Sequence, residues 1–95
     1  YDFVEGYYLS DQIEKAERLV ESIIFQYEER FGRIAKFSKT NKKLFFDRLK
    51  GDVLDFQELI FLVELMGRTD FADSLQKRFD QSMKQFEFKE DSLLN

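Results

Sequence analysis

LDFQELIFLVELMG, residues 54–67, is the stretch whose reading decides the fold. Eight of its positions, Phe56, Leu59, Ile60, Phe61, Leu62, Val63, Leu65 and Met66, are large and apolar. That density leaves almost no face for water, and a helix apolar all round is a buried helix. The stretch also carries its own boundaries. Asp55 and Glu58 have the spacing of a capping box, Leu54 and Leu59 stand where a hydrophobic staple would close, and Gly67 offers a stop. Burial of such side chains is worth about 1.5 to 3 kcal/mol each before entropy is charged, so the segment is predicted to nucleate the core.

Downstream, a further helix is predicted from Thr69 and Asp70, with Phe71, Leu75, Phe79, Met83 and Phe86 on a single stripe. The chain turns polar after Phe88, and residues 89–95 are expected to fray. Upstream, Ser38 or Thr40 can cap a helix running to about Lys50, with Leu44, Phe45, Phe46 and Leu49 on its buried side. Before it, Gly32 offers the end of a long first helix, and Ile34, Ala35 and Phe37 form a short apolar clip. In that long helix Leu9, Ile13, Ala16, Val20, Ile23 and Tyr27 recur every three or four residues, and Leu19, Ile24, Phe25 and Phe31 widen the seam. Ser10 or Asp11 is expected to cap it, with Asp11 and Glu14 as a capping box. Residues 1–9, YDFVEGYYL, read as an aromatic arm that is either a lid packed on the bundle or a partner-binding segment.

These elements predict one all-α domain over residues 1–95, a compact antiparallel bundle of about four helices. A five- or six-helix globule, with the first helix bent near Gly32, is the alternative. The chain begins at Tyr1 and not at Met, which suggests a trimmed domain or the ordered part of something longer. Without Cys there is no disulfide framework and no thiolate metal site, and without Pro no helix has to break. His is absent too, which removes the commonest general base and metal ligand. No run approaches a membrane span and no leader is visible, so the cytoplasm is the default compartment and the nucleus the alternative.

Charge is the strongest signal beyond the core. Residues 30–50 hold eight basic side chains, Arg30, Arg33, Lys36, Lys39, Lys42, Lys43, Arg48 and Lys50, against the single acid Asp47. The flanking segments carry −6 and −5, so a chain of net charge −4 contains one basic block of +7. Such a block can bind phosphate backbones or dock on an acidic protein surface, including a second copy of the chain. It can also be no more than a solvated face. The acidic flanks oppose a polyanion, which favours the protein.

Three resemblances bear on function. Asp47–Leu59, DRLKGDVLDFQEL, resembles the loop and exit helix of an EF-hand, with Asp47 as first ligand and Glu58 as the closing bidentate one. It departs from that pattern at Leu49, Gly51 and Asp52, so no metal is assigned. The run from Ile34 to Gly67 resembles in outline the helix-turn-helix of phage-repressor-like regulators. That likeness implies a recognition helix opening with Lys39, Thr40, Asn41, Lys42 and Lys43, with Asn41 able to read adenine. ELIFLVELMGRTDFADSL is similar to the closing helices of death-fold adaptors, which implies assembly through opposed acidic and basic patches.

Enzyme chemistry finds little footing. The acid pairs Asp52 with Asp55 and Asp70 with Asp73 sit at predicted helix starts, where the helix dipole explains them, and no Gly-rich phosphate loop is present. The reading is therefore a non-catalytic protein–protein interaction or regulatory module without cofactor. It binds a partner protein or itself through the basic block at 30–50 and apolar helix faces. A small nucleic-acid-binding regulator using the helix-turn-helix-like segment 34–51 is the alternative.

Overall fold

Two long helices form the frame on which two shorter ones are laid. The computed structural model describes residues 1–37 and 42–86. Its helices are α1 (Asp2–Leu9), α2 (Ile13–Phe37), α3 (Lys42–Leu65) and α4 (Thr69–Met83), followed by a 3-10 turn at Lys84–Phe86. Contacts between them fix the directions. Tyr1 meets Tyr27 while Tyr8 meets Glu17, so α1 runs against α2. Arg30 pairs with Asp52 and Glu17 with Arg68, so α3 runs against α2 as well. Glu28 pairs with Arg78, which sets α4 parallel to α2 and against α3. The protein is a compact all-α antiparallel bundle of four helices, as its apolar spacing predicts.

The central stretch lines the core, on one face only. Phe56, Leu59 and Val63 are fully buried, and Ile60 and Leu62 nearly so. Phe56 sits at the middle of an aromatic cluster, 6.1 Å from Tyr27, 6.1 Å from Phe31 and 5.2 Å edge-on from Phe79, measured between ring centroids. Leu54, Phe61 and Leu65 point the other way and are exposed. Three helices around a central one would be needed to cover a helix all round, and this bundle covers α3 from one side.

Several predicted boundaries move. The helix expected to stop near Lys50 and the one expected to start near Leu54 are a single helix, Lys42–Leu65. An interior glycine costs about 1 kcal/mol relative to alanine. Continuity through Gly51 keeps Leu49 and Phe56, two turns apart, on the same buried face, which is worth more. Asp55 and Glu58 are therefore mid-helix and cap nothing, and the exposed Leu54 closes no staple. Helix α2 likewise continues through Gly32 to Phe37, because Phe31 and Ile34 both face the core. The caps expected at Ser38 or Thr40, and the tail at 89–95, lie outside the described residues.

Residues 1–9 are a helix and not an extended arm: Val4 and Tyr8, one turn apart, anchor α1 in the core. Leu9 belongs to its outer side and is 78% exposed, so it is no part of the α2 seam. Asp11 does not open α2. It closes α1 with φ of 62°, where its N–H bonds the Tyr8 carbonyl and that of Gln12 the Tyr7 carbonyl, the two bonds of a Schellman end. Gly67 ends α3 in the same way, with φ of 80° and with Gly67 and Arg68 N–H groups on the carbonyls of Glu64 and Val63. On α4, Leu75 and Phe79 are buried as predicted, Ala72 joins them, and Phe71 and Met83, with Phe86 of the 3-10 turn, pack at the margin.

Candidate functional site

Helix α1 lies along α2, and Tyr1, just before its first turn, reaches α3. The Tyr1 hydroxyl is 2.9 Å from that of Tyr27 and donates to the Asp55 carbonyl at 3.3 Å. Burial, reinforced by the Tyr27 hydrogen bond and by the charges of Asp55 and Glu58, pushes the Tyr1 hydroxyl well above its ordinary pKa. One turn further along the frame, where α1 has ended, α2 and α3 are left with a cleft between them. It is lined by Arg30, Arg33, Ile34, Arg48 and Asp52 and has a volume of about 540 Å³. Arg30 and Arg33 stand one turn apart on α2, as Arg48 and Asp52 do on α3, so four charged side chains converge from two facing turns.

These charges are not equivalent. Arg30 is held by Asp52 at 3.5 Å, with its guanidinium carbon 4.9 Å from the Tyr27 ring centroid, so it is a structural cation spent on joining α2 to α3. Arg33 and Arg48 have no ion pair among the described residues. The other arginines of the chain do: Arg18 pairs with Glu14, Arg68 with Glu17, and Arg78 with both Glu21 and Glu28. The cleft thus presents two uncommitted guanidiniums beside one neutralised pair. A guanidinium is a planar fork of donors that matches a carboxylate or phosphate, so the arrangement suits an anion with two negative charges.

The structure divides the basic block. Arg30, Arg33 and Arg48 come together. Lys36 is exposed on α2 outside the cleft lining, and Lys50, two residues beyond Arg48, is turned to the opposite side of α3. Lys39 lies outside the described residues, as do the side chains of Lys42 and Lys43 in the first turn of α3. Asp52 is the member that sequence reasoning missed, having been assigned to helix capping. Only the pairing of α2 with α3 reveals it as the partner of Arg30.

The local geometry also bears on the resemblances. Residues 47–59 are uninterrupted helix, so they form no EF-hand loop. Ile34–Phe37 is the end of α2, and the two later helices of the helix-turn-helix outline are one helix. Compared with protein-family models, curated proteins and solved structures, the chain matches none. No described helix is long and apolar enough to cross a membrane.

Proposed function

We propose that the protein is a non-catalytic interaction module that takes an acidic segment of a partner protein into the cleft between α2 and α3. The observation that carries this reading is the contrast among the arginines: Arg33 and Arg48, which share the cleft, are the two without a carboxylate among the described residues. An unpaired arginine on a surface is ordinary. Two that converge on one concavity, in a chain with 19 acids against 15 bases, argue for an acid supplied from outside. A protein segment is favoured over nucleic acid because the remaining surface is acidic and a polyanion tracks more surface than this cleft provides.

Two features support the non-catalytic reading. The cleft's one carboxylate is engaged by Arg30, and the chain has no His or Cys to act as base or nucleophile.

Titration of the isotope-labelled chain with a glutamate-rich peptide, followed by nuclear magnetic resonance, tests the reading. The Arg33 and Arg48 side-chain signals are expected to shift, and Arg33→Glu with Arg48→Glu to abolish the shifts while Lys36→Glu preserves them. Binding of duplex DNA or single-stranded RNA with a steep salt slope, together with silence toward the peptide, would sink the reading.

A further inference from the structure

Helix α3 turns toward solvent a seam that the fold does not use. Leu54, Phe61 and Leu65 are 59%, 59% and 66% exposed. With Asp47, Gly51 and Glu58 they fall at positions 47, 51, 54, 58, 61 and 65, the alternating four-and-three spacing of a helix–helix seam. This seam runs opposite the buried face of Phe56, Leu59, Ile60 and Val63. Along one of its flanks Lys50, Gln57 and Glu64 recur every seven residues, all exposed. Neither Lys50 nor Glu64 has an ion pair among the described residues. Gly51 adds a second anomaly. A Cβ there would meet nothing within 4 Å, as at the helical Gly6 and Gly32, so the fold does not require glycine at this position and its lack of a side chain leaves the seam open.

We propose that this seam is a self-association surface, on which two copies of the chain pair through their α3 helices, antiparallel about a two-fold axis beside Gln57. In such a pair each flank meets its own counterpart. Lys50 of one copy then faces Glu64 of the second, Gln57 faces Gln57, and Glu64 faces Lys50. The same register brings the Phe61 ring of each copy over Gly51 of the other, where the seam has no side chain to obstruct it. The order Lys50, Gln57, Glu64 is what identifies the occupant as a second copy: it complements itself when reversed. Glu58 and Asp47 keep the seam from being wholly apolar, which makes the dimer reversible and not obligate. The second flank of the seam carries Arg48, Asp55 and Leu62, so of the two cleft arginines without an ion pair among the described residues only Arg33, on α2, lies away from this surface and separates it from the acidic-segment reading.

Sedimentation equilibrium on the full chain over a range of concentrations is the test. The wild type is expected to show a monomer–dimer equilibrium, and Glu58→Leu, which completes the apolar stripe, to tighten it at least about tenfold. Lys50→Glu and Glu64→Lys are each expected to weaken it by about tenfold, and the two together to restore it. Arg33→Glu, on α2, should leave it unchanged. All these side chains are exposed, so the variants keep the fold, as circular dichroism would verify. The proposal is overturned if wild type and Glu58→Leu both stay monomeric up to about 1 mM, or if the double charge swap dimerises no better than the single ones.

Discussion

Phe56 and Phe61 lie five residues apart on one helix, and truncating each to alanine should have opposite consequences. Phe56 is fully buried and Phe61 is 59% exposed. Removing a buried phenylalanine costs about 3 to 5 kcal/mol, part of it for the cavity left behind. Phe56 further loses three ring contacts, with Tyr27, Phe31 and Phe79, each worth about 0.5 to 1.5 kcal/mol. Small domains have about 5 to 15 kcal/mol in all, so Phe56→Ala should lose at least about a fifth of its stability, and at the low end of that range nearly all of it; Phe56→Leu, which keeps most of the volume, gives the readable version, with a loss of about 1 to 3 kcal/mol. Phe61→Ala should stay within about 0.5 kcal/mol of wild type, and the better helix propensity of alanine works in its favour. Urea unfolding followed by far-ultraviolet circular dichroism, at a dilution where the chain is monomeric, gives both numbers. Equal losses at the two positions would mean that α3 is enclosed on all sides and that the one-faced packing described above is wrong.

Other expectations follow from single contacts. Leu62→Ala, at a nearly buried position, should cost about 2 to 5 kcal/mol in the same urea assay. Arg78 carries Glu21 and Glu28 of α2 on one guanidinium from α4, and those carboxylates raise its pKa further; Arg78→Met should cost about 1 to 2 kcal/mol, and the loss should shrink as salt is added. Asp11→Gly relieves a left-handed backbone at the end of α1 and should raise stability by up to about 1 kcal/mol, read as a rise in Tm of a few degrees. The Tyr8 hydroxyl donates to Glu17, and burial together with that carboxylate pushes its pKa up to about 12. The folded state therefore holds this proton more tightly than the unfolded one. Its contribution is complete below the ordinary tyrosine pKa of about 10 and is lost as pH rises from there to about 12. Tyr8→Phe should flatten the alkaline fall of Tm, and an unchanged slope would exclude the linkage.

What the sequence by itself determined is the class of fold and the contents of its core. Apolar spacing of three and four on every segment, no proline, and glycine at 67 are local properties, and they suffice for a compact all-α bundle with Val20, Tyr27, Phe56, Leu59, Leu75 and Phe79 inside. The basic block was legible too, as a run of charge. Tertiary packing decided everything that depends on which side of a helix meets another. Whether Gly32 and Gly51 end their helices is a contest between about 1 kcal/mol of local propensity and the burial gained by keeping Phe31 with Ile34, and Leu49 with Phe56, on one face. Only the packed bundle settles that contest. The same holds for the site. Of the five basic side chains of the block that are described, three line a cleft, because a helix sends Arg48 and Lys50 to opposite sides, and because Tyr1, just before α1, meets Tyr27 one turn short of Arg30. Asp52 joins them through a partner 22 positions away in the chain, a separation that no local pattern records.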